Sequence, residues 1–241
     1  HMRCSRALGE AALDDLAWLG VISDAPVRWQ SEHGGDYAAA LFCLKERGLT
    51  YPCGCSRSEI AAAVAGIEKR TATFWPRDPD GAVLYPGTCR GKQWDGVSPM
   101  AWRLDMARAI AHVDAPLSFQ LERMDGSGET AAGTAICHPG RWGDVVLARK
   151  DIAASYHLSV VVDDAIQGIT HVARGTELEA ATDTHVLLQR LLGLPMPVYS
   201  FHPLIKDEAG LKLSKSRGSE SLHDLRGNGI SADEIRRLLG F

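Results

Sequence analysis

Apolar positions recur at helical spacing in some stretches of this chain and alternate in others, a mixture that predicts an α/β fold. Near the start, Leu8, Ala12, Leu16 and Leu19 mark one face of a helix stopped by Gly20, a face expected to pack on a sheet. Residues 27–30 read as a short strand. Asp36 is expected to cap a second helix with Tyr37, Ala40, Leu41 and Leu44 on one side, ending at Gly48. The capping box Ser56-x-x-Glu59 predicts a third helix through Ile60 and Val64. Between Trp94 and Arg141, short β-like runs at 101–104 and 117–121 precede a Gly-rich turn at 125–128. A helical stripe over 182–192 stops at Gly193, and 198–205 reads as the last strand. A final helix opens at the box Ser231-x-x-Glu234 and is expected to bury Ile235, Leu238 and Leu239.

Composition narrows the class without fixing the chemistry. With 241 residues, 45% hydrophobic and 23% charged, the chain can bury a substantial core as one domain with an insertion or as two small ones. No run approaches the roughly 18 apolar residues of a membrane span. A net charge of −4 gives no overall basic footprint, so charge alone does not announce a nucleic-acid partner. Six cysteines without a secretory pattern fit a cytoplasmic protein, whose thiols serve as metal ligands or core residues. His1-Met2 reads as a cloning remnant.

Candidate chemistry lies in two places. Cys53-x-Cys55, followed later by Tyr85-x-x-x-Cys89, can converge on a tetrahedral ion, and thiolate-rich tetrahedral sites favour zinc. Tyr85 is the first choice for the fourth ligand, with His112 and His138 ranked below it. Cys4, Cys43 and Cys137 fit no ligand spacing. Downstream, Lys212-Leu213-Ser214-Lys215-Ser216 puts two ammonium groups and two hydroxyls on one loop, suited to a polyphosphate. Asp163-Asp164 reads as a polar pair that fixes a turn or caps an element.

Taken in order, residues 156–164, Gln167-Gly168, Arg174-Gly175, Leu204-Ile205 and 212–216 resemble the second half of the catalytic domain of class I glutamyl-type aminoacyl-tRNA synthetases. The lysine loop is similar to their Lys-Met-Ser-Lys-Ser loop, with Leu213 in place of Met, and the resemblance runs from about Arg3 to about Ser216. Residues 144–151 resemble the family's return to its nucleotide-binding core, which makes 160–162 and a strand at 169–173 core elements. The resemblance implies a Rossmann-type core over 3–48 and 143–241, interrupted at 49–142 by a zinc-bearing, acceptor-binding subdomain. It also implies that Tyr156 and Arg174 bind glutamate, that Lys212, Ser214 and Lys215 bind ATP with Mg2+, and that Lys215 acts catalytically. His157 stands where relatives often carry Asn or Gln. The cysteine and tyrosine spacing is similar to the zinc pattern of a short branch of the family, with a longer gap here.

That branch implies ATP-dependent activation of glutamate and its transfer to the queuosine base of tRNA(Asp). The residues after Ser216 are too few for the large helical anticodon-binding region of glutamyl-tRNA synthetases. The family's His-Ile-Gly-His-like signature and its strand have no counterpart after Arg3 and are expected upstream. The chain as given is therefore expected to form little adenylate and to cover an open sheet by dimerisation or disorder. Two alternatives remain: an inactive synthetase fragment that binds tRNA or glutamate, and a fragment of a glutamyl-tRNA synthetase.

Overall fold

The computed structural model of the chain describes residues 5–124, 130–207, 210–213 and 218–240. It divides into two compact units, one of Gln30–Pro203 and a smaller one made of the segments before and after it. The fold is α/β with a mixed sheet, as the hydrophobic pattern predicts.

The larger unit opens with a 3-10 turn, Gln30–Glu32, where a strand was expected. Helix α2, Gly34–Glu46, comes next, and strand β1, Thr50–Cys53, leads into helix α3, Arg57–Thr71. His33 takes the N-cap position of α2 and Asp36 falls in its first turn, 3.6 Å from the His33 ring, because Gly34 and Gly35 already wind into the helix. Tyr37, Leu41 and Leu44 are buried as the stripe requires, and Gly48 turns the chain with a φ of 64°. Strand β2, Ala101–Leu104, pairs antiparallel with β1 on one side and with β5, Val146–Ala148, on the other. Helix α4, Met106–Ala111, sits between β2 and the hairpin of β3, Ser118–Met124, and β4, Thr130–Ile136. The expected turn at 125–128 lies outside the described residues.

Helix α5, Tyr156–Ile166, then β6, His171–Gly175, α6, Thr182–Leu192, and β7, Val198–His202, complete the unit. β6 and β7 run parallel, joined through α6, and β7 also pairs parallel with β3, giving the order β4-β3-β7-β6. Parallel neighbours need such a helical crossover. β7 stops before Pro203, three residues short of the expected end, since proline cannot donate to the ladder. β6 starts only at His171.

In the main core cluster Leu44, Leu104, Leu147, Leu158, Val186, Leu187 and Leu188 are fully shielded, and Tyr51, Cys53 and Tyr85 form a second, smaller one. α6 is buried on nearly all sides, including Thr182, Asp183, Thr184, His185 and Gln189. Asp163 near the end of α5 is buried too, accepting from the Tyr37 hydroxyl at 2.8 Å and from Gln30 Nε2 at 2.8 Å. It joins elements far apart in sequence, which corrects the expectation of a local turn or cap.

In the smaller unit, α1, Arg6–Trp18, is capped by Ser5 and turned by Gly20. It buries no residue, against the expectation of packing on a sheet. Leu8, Ala12 and Leu16 of its stripe instead line a groove of about 740 Å³ with Leu213 and Leu222. Trp29 packs on α1 beneath the Arg6 guanidinium, 3.8 Å from the ring, in space that the missing Cβ of Gly9 leaves open. That contact holds the segment in place of strand pairing at 27–30. Helix α7, Leu222–Gly227, and α8, Ala232–Leu239, complete this unit. α8 has its expected capping box but buries only Ile235, while Leu238 is 80% exposed. Arg236 ties the helix to the Leu19 carbonyl at 2.7 Å, so one short turn suffices for its contact.

Candidate functional site: a cysteine cluster and a buried arginine

β1 delivers Cys53, which is buried at the strand end, and Cys55 lies two residues on, where the Ser56–Glu59 capping box of α3 fixes the exit of the chain. Tyr85 and Cys89 enter from a turn whose Gly87 has a φ of 77°. The three cysteine Sγ atoms lie within 4.8 Å of one another. The Tyr85 hydroxyl is 3.3 Å from Cys53 Sγ and 3.5 Å from Cys55 Sγ, and it accepts from the Cys89 N–H at 2.9 Å. Cys55 and Cys89 Sγ are 3.4 Å apart. Sulfurs around a tetrahedral zinc stand about 3.8 Å from each other, so the donor set and its size both fit that ion. His112 lies against Arg47 and His138 leads a separate 3-10 turn, so neither joins the cluster.

The electrostatics of the cluster are uneven. Burial alone raises the Cys89 thiol, but hydrogen bonds from Tyr85, the Gly54 backbone and the neighbouring thiols outweigh it and bring Cys89 down to about 7. Burial pushes Cys55 up, and burial and the thiol contacts push Tyr85 up further. A bound cation reverses such upward shifts by favouring the anions. Behind the cluster, buried Asp144 accepts from the Tyr51 hydroxyl, from Arg90 and, at 3.0 Å, from the Met106 N–H. Arg103 donates to the Asp144 carbonyl at 2.8 Å and lies over the Tyr85 ring at 3.9 Å. No motif marks Tyr51, Arg90 or Arg103, and the resemblance over 144–151 gives Asp144 no role of this kind. A buried carboxylate with several partners is visible only once the sheet brings them together.

A second cluster surrounds Arg174, which β6 carries into the core at 9% exposure. One guanidinium nitrogen donates to His185 Nδ1 at 2.9 Å, and another donates to Thr182 Oγ1. Its Nε is buried without a hydrogen-bond partner, and among the described residues no carboxylate pairs with it. The Tyr199 ring lies 4.9 Å from the guanidinium carbon. His157 Nδ1 is 3.1 Å from His185 Nε2, and the Tyr156 ring stands nearly edge-on to His185 at 5.6 Å. Burial, reinforced by Arg174, lowers His157 to about 4 and holds His185 well below the ordinary histidine range. Tyr156 and Arg174 are thus brought together through His185, while Tyr156 stays half exposed. His185 and Thr182 carry no motif. Their signal is the run from Thr184 to Gln189, which has no full charge and therefore no solvated face.

Of the lysine loop, Lys212 forms an antiparallel bridge with Lys206, and the Leu213 N–H donates to the Ile205 carbonyl at 3.1 Å. Ser214, Lys215 and Ser216 lie outside the described residues. No helix among the described residues is long and apolar enough to cross a membrane.

Residues 126–239 match the family of class I tRNA synthetases (E and Q), catalytic domain. A glutamate-tRNA synthetase structure from Elizabethkingia anophelis shares the fold, with a TM-score of 0.63 at 22% identity over 90% of this chain and 44% of that one. Fold and match together define the class, the catalytic fold of the class I tRNA synthetases. A Rhodobacter capsulatus protein named glutamyl-Q tRNA(Asp) synthetase is 44% identical over 95% of this chain and 80% of its own length. A protein of the same name from Leptothrix cholodnii is 42% identical over 90% of this chain and 68% of its own. The chain belongs to the glutamyl-Q tRNA(Asp) synthetase family.

Proposed function

We propose that this chain serves the ATP-dependent activation of glutamate and its transfer to the queuosine base of tRNA(Asp). The observation that carries the glutamate half is Arg174, a buried guanidinium whose protein partners are an imidazole and a hydroxyl and whose Nε is bare. A buried charge calls for an opposite charge, and an arginine fork matches a carboxylate in two parallel hydrogen bonds. Tyr156 orients the same amino acid. The names of the relatives support the acceptor half. The reaction runs in two steps: glutamate and ATP give glutamyl-adenylate and pyrophosphate, and the acceptor then takes the glutamyl group. Lys212, Ser214 and Lys215 hold the phosphates, Mg2+ accompanies the ATP, and Lys215 stabilises the charge that develops in the first step, a role worth roughly a hundredfold or more in rate. Positioning is the main contribution of the protein.

Cys53, Cys55, Cys89 and Tyr85 hold a structural zinc within an acceptor-facing insertion over 49–142, set between core segments 3–48 and 143–241. Such an ion contributes to folding rather than to a chemical step. Elemental analysis of folded, chelator-washed protein is expected to find one zinc per chain. Glutamate-dependent ATP–pyrophosphate exchange tests the activation step, and its absence favours an inactive, ligand-binding synthetase fragment. Charging of tRNA(Asp) in preference to tRNA(Glu) tests the acceptor, and the reverse preference identifies a glutamyl-tRNA synthetase fragment.

A further inference from the structure

We propose that His185 and His157 form a neutral, tautomer-locked pair that positions the Arg174 guanidinium without an ion pair and leaves its charge available to the ligand. The inference rests on the reading of Arg174 as the glutamate site. Arginine can only donate, so the 2.9 Å contact forces His185 Nδ1 to accept, and the His185 proton sits on Nε2. That proton is then directed at His157 Nδ1, 3.1 Å away, and the His157 proton is driven to its own Nε2. The direction of every hydrogen in the chain Arg174–His185–His157 is thereby set by the one group that cannot reverse. Among the described residues His157 Nε2 has no hydrogen-bond partner, and His157 lines a cavity of about 300 Å³ together with Tyr85, Arg103 and Trp142.

The choice of imidazole has a consequence for the ligand. A carboxylate at position 185 would also hold the guanidinium, but it would neutralise the site and compete with the substrate carboxylate. A protonated imidazole would lose its acceptor atom and repel the arginine. Neutral histidine fixes the plane of the fork without spending its charge. Thr182 secures a second nitrogen by its hydroxyl, also without charge. Burial and the arginine charge both hold the imidazoles in the neutral form that this role needs. These are positioning residues acting through Arg174.

Two measurements test the pair. Nitrogen-15 spectra of histidine-labelled full-length chain at neutral pH are expected to show both rings protonated at Nε2 alone, and a proton on His185 Nδ1 overturns the proposal whatever the ligand does. Second, glutamate affinity is compared in the parent chain, His185→Leu and His185→Gln by calorimetry. The leucine variant is expected to weaken glutamate binding about tenfold or more. The glutamine variant, whose amide can accept from Arg174 and donate to His157, is expected to restore most of the loss. A parent chain that binds no glutamate overturns the reading of the site and the positioning role with it. Parent binding that His185→Leu leaves unchanged overturns the positioning role alone. A glutamine variant as impaired as the leucine variant overturns the hydrogen-bond account.

Discussion

Arg174→Lys keeps the positive charge but removes the planar fork, and the shorter list of donors cannot serve His185, Thr182 and a carboxylate together. Glutamate affinity measured by calorimetry is expected to fall about 10-fold to 100-fold, the worth of a charge-assisted hydrogen bond. A fixed fork also discriminates by chain length, so glutamate is expected to outcompete aspartate and glutamine in the same measurement. Elsewhere, Ala72 ends α3 in the left-handed region with a φ of 52°, a conformation that costs a side chain about 1 kcal/mol. Ala72→Gly is expected to stabilise the protein by roughly that much in urea titration, since the helix cap keeps its geometry and loses only the strain.

Capping chemistry explains which elements the sequence discloses. Ser56 with Glu59 and Ser231 with Glu234 form reciprocal boxes in the structure, as their spacing predicts. Ser56→Ala is expected to cost about 1 kcal/mol and to loosen the exit from Cys55, which thermal melting of metal-free protein would register. The equivalent box at α7 uses Asp224 in place of glutamate, so it escapes a pattern written for the longer side chain. α4 escapes because it is short, and its definition rests on the Asp105 cap and the burial of Met106 and Ala109. The convergence of Cys53, Cys55, Tyr85 and Cys89 was legible because ligand chemistry restricts residue type as well as interval. Asp144 and Asp163 were not, because a carboxylate in a loop or at a helix end looks the same whether solvated or tied to residues far along the chain. The exposed Leu238 makes the same point in reverse: helical periodicity marks a face, and only the neighbouring chain decides whether that face is covered.

For the molecule as a whole, the neutral histidines tie stability to pH. His157 is protonated below about 6.5 in an unfolded chain but resists until about 4 in the folded one. Its contribution is therefore complete above pH 6.5 and is lost as pH falls towards 4, by up to about 1.4 kcal/mol per pH unit. The groups around it are Arg174 on β6, His185 on α6 and Tyr156 on α5. Burial raises Asp164, which opposes the trend by favouring the folded state in acid. The informative quantity is the difference in urea-unfolding free energy between the parent chain and His157→Gln across pH 4 to 6.5, where the variant is expected to show the shallower dependence. The proposed zinc acts on the same scale. Cys53→Ser is expected to lower the melting temperature of metal-loaded protein and to leave little further change on adding a chelator.

The bond from Tyr37 and Gln30 to Asp163 also sets a timetable. During synthesis α2 emerges early, yet the carboxylate that anchors it arrives 126 residues after Tyr37. Such long separations slow folding, because the chain between must be closed before the contact repays it. A nascent chain stalled before α5 is expected to leave α2 open to protease, and one stalled after β7 to protect it. The ribosome thus releases the first half of the larger unit well before that half can hold its shape, an interval in which its apolar stripe is available to chaperones.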